Sequence, residues 1–305
     1  MSKATAFIKA ARLRTLPLSF SAVITGSSLA VFGGKTEVLV ITLCLITTLF
    51  LQVLSNLAND YGDFVKGTDN EQRIGPSRTM QSGEISKNEM KAGIFICALL
   101  SLASGIWLVY EGTKGMGKGD FIFFITLGLG AIAAAIFYTV GKKAYGYNGL
   151  GDVFVFLFFG IVGVTGSYYL QAHHFDYQLL LPAATIGFFS AGVLNLNNLR
   201  DHVNDKISNK NTLVVKLGFE KAKVYHLFLL VTGLSSSVTF ILINYISPWQ
   251  FIFLAIVPLL LKNVITVLRS KEPKQLDPLL KQLAITTFLF SVLFGCGLYI
   301  STQNL

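Results

Sequence analysis

Apolar runs recur along the whole 305-residue chain, roughly at 18–34, 37–58, 92–110, 121–140, 150–171, 178–199, 224–245, 249–268 and 282–301. Each approaches the ~20 residues that cross ~30 Å of hydrocarbon as an α-helix. A spanning backbone must satisfy its own hydrogen bonds, and a helix does so within one segment. The expected fold is therefore an all-α membrane protein of about nine transmembrane helices. A mean hydropathy of +0.60 and a charged fraction of 13% exclude an ordinary soluble domain. No hydrophilic stretch is long enough for a second unit, so residues 1–305 are read as one membrane domain. The 28 glycines and 25 phenylalanines fit close helix contacts and aromatic filling inside such a bundle. Cys44, Cys97 and Cys296 lie within apolar runs at spacings that match no metal or redox motif, so buried free thiols are expected. Arg12, Arg14 and Pro17 lead into the first run without a cleavage-like site, so no removable signal is expected.

Basic residues in short loops orient a membrane protein. With a cytoplasmic N-terminus and an odd number of spans, only Lys35, Lys114 and Lys118 of the 25 Lys and Arg fall on the far side. That asymmetry accounts for the net charge of +9 without invoking nucleic acid.

Five of the nine aspartates gather where the second and sixth runs end on the cytoplasmic side. Asp60 and Asp63 close the stretch Asn56-Leu-Ala-Asn59-Asp60-Tyr-Gly-Asp63, with Asp69 just beyond, and Asp201 and Asp205 close Asn197-Asn-Leu-Arg-Asp201-His-Val-Asn-Asp205. Carboxylates beside hydrocarbon are costly and mark function. Asn56 with Asp60, Asn197 with Asp201, and Asp201 with Asp205 are each four apart, so each pair shares a helix face. Carboxylates facing one another repel unless a cation lies between them. Mg²⁺ suits the place, because it takes few carboxylates and completes its shell with water and phosphate oxygens. Lys66, Arg73 and Arg78 follow the first motif, and Lys206 and Lys210 follow the second, as a diphosphate would require. The four histidines show no zinc spacing, and Asp120, Asp152, Asp176 and Asp277 read as solvated helix ends.

At these residues the chain resembles the UbiA superfamily of intramembrane prenyltransferases, and within it the branch acting on 1,4-dihydroxy-2-naphthoate. The likeness rests on the first motif with Lys66-Gly-x-Asp69 and Arg73-Ile-Gly-Pro-x-Arg78, and on the second continuing into Lys210-Asn-Thr-Leu-Val-Val-Lys-Leu-Gly218. Arg12-Leu-Arg14-Thr-Leu-Pro17, Tyr138-Thr-Val-Gly and Gly149-Leu-Gly-Asp152 extend it over residues 12 to about 220. The resemblance implies a helical bundle around a central cavity open toward lipid, in a bacterial cytoplasmic (inner) membrane, with the active-site loops in the cytoplasm. It implies that Asp60, Asp63, Asp201 and Asp205, with Asp69 more loosely, bind Mg²⁺ that bridges a polyprenyl diphosphate. Asn56, Asn59 and Asn197 would support the cluster. Lys66, Arg73, Arg78, Lys206, Lys210 and Arg14 would serve the substrates' charges. Tyr138 would face an allylic cation, and Asp152 or a tyrosine would take the phenolic proton. Prenyl transfer with loss of CO₂ would then give demethylmenaquinol. Another aromatic acceptor such as 4-hydroxybenzoate is the nearest alternative. A cation transporter is a more distant one, since the acidic clusters sit at helix exits rather than at broken helices near the midplane.

Overall fold

The structure is a computed structural model that describes residues 2–70 and 74–303. Among the described residues, nine helical segments are long and apolar enough to cross a membrane. They are α1 (Lys3–Phe32), α2 (Val38–Val65), α3 (Lys87–Gly112), α4 (Lys118–Phe137), α5 (Gly151–Ala172), α6 (Tyr177–Ile207), α7 (Phe219–Ile243), α8 (Pro248–Arg269) and α9 (Pro273–Gln303). No strand occurs among these residues.

The helices outrun the apolar runs wherever the chain carries polar motifs. The runs end near 58 and 199, but α2 continues to Val65 and α6 to Ile207, which places both aspartate stretches on helix. Backbone hydrogen bonding propagates through polar residues, and only a terminating conformation stops it. The first segment starts at Lys3, well before the expected 18. Its first turns, Lys3–Ala11, are capped by the Ser2 hydroxyl accepting from the Thr5 N–H, and they break at Arg12, whose φ is +49°.

Packing follows the chain in pairs: α2 runs along α3, α6 lies between α5 and α7, and α9 rests on α1, α6 and α8. The densest core is aromatic. Phe189, Phe253, Phe290 and Phe294 are fully buried, and Phe253 stands edge-on to Phe290 with ring centroids 5.5 Å apart. Such geometry adds to area burial because ring edges and faces carry opposite partial charge. In lipid, where apolar burial drives little association, close backbone approach matters more. A Cβ on Gly160 of α5 would lie 2.6 Å from the Gly187 Cα of α6. Gly160→Val should therefore wedge these helices apart and cost about 1–3 kcal/mol, read as a lower melting temperature in detergent. Gly34→Ala, where a Cβ meets no heavy atom, is not a fair control because its φ is +75°. Gly128→Ala is one, because that position is open and helical.

All three thiols are free, but only Cys44 is buried; Cys296 is exposed on α9, where the surrounding solvent is hydrocarbon. The helix least enclosed by protein is α4, in which Phe124 alone is buried. Together with α3 it forms the thin wall of a cavity.

Candidate active site

Both aspartate motifs end in the same backbone turn. In α2, the Thr68 N–H donates to the Asp63 carbonyl at 2.9 Å and the Gly67 N–H to the Phe64 carbonyl at 3.2 Å. In α6, the Lys210 N–H donates to the Asp205 carbonyl at 2.8 Å and the Asn209 N–H to the Lys206 carbonyl at 3.3 Å. These paired bonds need a left-handed residue, supplied by Gly67 (φ +72°) and by Asn209 (φ +54°). The turn folds the chain back over its own helix end. Asp69 and Lys210 are thereby returned to the level of the last aspartate.

A single guanidinium organises the first motif. Arg78 Nη1 lies 3.1 Å from Asp60 Oδ1 and 3.1 Å from Asp63 Oδ2, and its Nε lies 3.2 Å from Asp69. Burial opposes its charge, but Asp63, Asp60 and Asp69, with Asp201 adding its field, hold the guanidinium protonated above its ordinary range. Arg12 also donates to Asp60, delivered by the left-handed bend that breaks α1. Gly62 sits in the middle of this motif because a Cβ there would collide with Thr139 at 2.5 Å.

In the second motif Arg200 grips its neighbour. Its Nε and Nη2 donate to the two oxygens of Asp201 at 2.9 and 2.6 Å, while Nη1 reaches Asp277 at 2.6 Å and Nη2 reaches Asn197 at 2.9 Å. Asp277 is thus a partner of Arg200 while remaining a half-exposed residue at a helix start, and Asp152, read as a solvated end, is instead buried. The motifs join through Lys210, whose Nζ lies 3.6 Å from Asp63 and 3.8 Å from Asp205. They join again through Asn204, whose amide donates to the Thr68 carbonyl at 2.8 Å.

Tyr147, in the loop between α4 and α5, completes the junction. Its hydroxyl donates to Asp63 Oδ1 at 2.7 Å, so the Thr68 hydroxyl, 2.6 Å away, donates to it in turn. Burial and the Asp63 charge hold this phenol protonated far above its usual range. Lys66 lies over the ring, 3.8 Å from its centroid. Burial pushes the Lys66 ammonium down, with Asp63 opposing and Lys210 adding to the effect.

Below this charged rim lies a cavity of about 380 Å³ between α1 and α5. No charged or imidazole side chain lines it among the described residues. Asn56, Asn59 and Tyr138 line its rim end; Phe124, Phe154 and Phe158 line its walls. Ile106 of α3 and Leu129 of α4 line it too and are about half exposed, so little protein encloses the cavity on that side. Tyr138 is wedged by glycines: a Cβ on Gly146 would come within 2.9 Å of its ring, and one on Gly151 within 3.2 Å. Tyr145 stands edge-on to Tyr138 at 5.3 Å and stacks on Phe154 at 4.0 Å.

The chain has relatives among known proteins. The UbiA prenyltransferase family matches residues 19–292. The chain belongs to that family. The 1,4-dihydroxy-2-naphthoate octaprenyltransferase of Haemophilus influenzae is 45% identical over 292 residues, 95% of this chain and 94% of its own length. The protein of the same name from Escherichia coli is 44% identical over 301 residues, 99% of this chain and 97% of its own. In fold, the chain superposes with a TM-score of 0.62 on a UbiA homologue from Archaeoglobus fulgidus solved bound to DMAPP and Mg²⁺. The two are 17% identical, and the match covers 97% of this chain and 100% of that one.

Within this UbiA protein, the structure gathers Asp60, Asp63, Asp69, Arg78, Asp205 and Lys210 into one network and sets Asp201 with Arg200 and Asn197 beside it. Asn56 points elsewhere. Its amide donates to the Ala11 carbonyl at 2.9 Å and its oxygen accepts from Gln52, tying α2 to the bend in α1. Asn59 accepts from Thr139 at 3.3 Å at the cavity rim. Asp152 is buried at the start of α5, with the Tyr225 hydroxyl 3.5 Å away. Arg14 and Lys206 are exposed, outside the ion-pair network. Arg73 lies outside the described residues. Sequence reasoning missed Arg12, Tyr147 and Arg200 as members of the site. Arg200 was legible, since it precedes Asp201 and cannot sit buried without a carboxylate. Tyr147 gave no signal, because nothing in its spacing distinguishes it from the tyrosines around it.

Proposed function

We propose that the protein transfers a polyprenyl group from polyprenyl diphosphate to 1,4-dihydroxy-2-naphthoate, with loss of the acceptor's carboxylate as CO₂, giving demethylmenaquinol. The observation that carries this reading is the meeting of two carboxylate clusters over an uncharged cavity, in a chain 45% identical to an enzyme named for that acceptor. The same name makes an octaprenyl donor the first to try.

Among the described residues no three acidic, imidazole or thiolate groups close a metal cage by themselves. The donors are nevertheless hard aspartate oxygens in two facing sets, which fits Mg²⁺ shared between a few carboxylates and substrate phosphates. Asp60, Asp63, Asp201 and Asp205 would hold it, with Asp69 behind them. A bound Mg²⁺ would draw off the negative charge that develops on the leaving diphosphate. Arg78, Lys66 and Lys210 supply fixed positive charge at the same place, where low dielectric strengthens it. The prenyl tail lies in the uncharged cavity, and its allylic carbon lies at the rim beside Tyr138 and Tyr145. Those rings exclude water from an allylic cation and present their faces to it. The acceptor's carboxylate-bearing ring carbon forms its bond to that carbon as the C–O bond to diphosphate breaks, and Asp152 takes the phenolic proton. The C–COO⁻ bond then breaks to release CO₂, and its electron pair restores the aromatic ring as Asp152 returns the proton to the oxygen. The excess of Lys and Arg in the loops at this end supports an orientation in which it faces the cytoplasm from a bacterial inner membrane.

The test is to incubate the purified protein with labelled octaprenyl diphosphate, Mg²⁺ and a panel of aromatic acceptors, and to identify products by mass spectrometry. Prenylated, decarboxylated naphthoquinol is expected, with no transfer to 4-hydroxybenzoate. Transfer to a different acceptor alone would overturn the assignment.

A further inference from the structure

Tyr147 touches charged groups from both halves of the site through two different parts of its side chain. Its hydroxyl donates to Asp63 of the first motif and accepts from Thr68, whose carbonyl is held by Asn204 of the second. Its ring carries Lys66 at 3.8 Å and Lys210 at 5.3 Å from the centroid, both within range of a cation–π contact. The backbone around it is stitched to the loop after α6. The Asn211 N–H donates to the Tyr147 carbonyl at 3.1 Å, and Lys216 Nζ donates to the Asn148 carbonyl at 2.7 Å. A buried aromatic side chain fixed at both ends holds its neighbours more rigidly than two flexible lysine stems could hold themselves.

We infer that Tyr147 is the positioning residue of the diphosphate site, with its hydroxyl setting the Asp63 carboxylate for the metal and its ring setting Lys66 and Lys210 for the phosphates. The inference rests on the proposed prenyl-diphosphate chemistry. It divides one side chain into two separable functions. The hydroxyl governs the metal, because a carboxylate oxygen already fixed by a donor loses less freedom on coordination. The ring governs the phosphates, because it spaces two like charges that would otherwise drift apart.

Two variants separate the functions. The probe is a non-hydrolysable prenyl thiodiphosphate added with Mg²⁺ to the full chain in detergent, read by thermal stabilisation and by calorimetric Kd. Tyr147→Phe keeps the ring and should raise the Mg²⁺ concentration for half-maximal stabilisation about tenfold. At saturating Mg²⁺ its Kd for the probe should stay within about twofold of the parent, since the cation–π contacts survive. Tyr147→Leu, or Tyr147→Met should the former not fold, should show the same Mg²⁺ shift and also weaken probe binding about fivefold. An unchanged Mg²⁺ requirement in the Phe variant overturns the hydroxyl's part. Equal probe affinity in the Phe and aliphatic variants overturns the ring's part. Failure of the parent protein to bind the probe at all would instead strike the proposed chemistry, which keeps the two failures distinct.

Discussion

Asp63→Asn should leave a folded protein whose transfer rate has dropped about a thousandfold. Asp63 is the most connected carboxylate of the cluster, meeting Arg78, Lys210 and the Tyr147 hydroxyl. Asparagine keeps its size and an accepting oxygen, so most of these contacts survive. What disappears is the negative charge that a divalent cation requires. Steady-state rates across a Mg²⁺ titration, alongside melting in detergent, would show the loss as chemical rather than structural. Asp201→Asn should behave alike, because that carboxylate is the second motif's contribution and is already oriented by Arg200 on both oxygens. An Asp63→Asn enzyme working near the parent rate would remove the carboxylate cluster from the reaction.

Arg78→Met is expected to damage both stability and turnover. The substitution strips one buried cation from three buried carboxylates, and breaking such a set costs about 3–5 kcal/mol. Mg²⁺ should restore part of the lost melting temperature, because added positive charge answers the same repulsion, whereas the parent gains less. Arg78→Lys should fall between the two, since an ammonium keeps the charge but cannot present a planar fork to three partners. The contrast is the strap on the protein's rim. Lys3 and Glu89 pair at 2.9 Å but remain 61% and 38% exposed, so Lys3→Ala should change stability by no more than about 1 kcal/mol. Equal melting temperatures for Arg78→Met with and without Mg²⁺ would disconnect this arginine from the metal site.

Much of the fold could be read from the chain because the bilayer imposes a length. Each of the nine apolar runs falls largely within a helix of the structure, and the two helices that carry the aspartate motifs continue well past their runs. The runs measure hydrocarbon, but helices end where a left-handed residue ends them, at Gly67 and Asn209. The segment Lys3–Ala11 escaped notice because it carries charge and is too short to span, and it docks by burying Ala6 and Ala10. The aspartates were legible because carboxylates beside hydrocarbon are rare enough to count. Arg78 and Lys210 were legible too, but Arg12 and Tyr147 were not, since they come from segments distant in the chain and only tertiary packing selects them. Helical spacing put Asn56 and Asp60 on one face, and it could not reveal that Asn56 spends its amide on the bend in α1.

The thinly enclosed side of the cavity, at α3 and α4, bears on where a long prenyl tail can go. A cavity of about 380 Å³ is of a size to surround a drug-like molecule and is too small for an octaprenyl tail. The far units of such a tail would therefore leave the cavity and dissolve among acyl chains. The bilayer then acts as part of the binding site, contributing solvation to every isoprene beyond the first few. A product carrying such a tail would be formed already partitioned into the membrane.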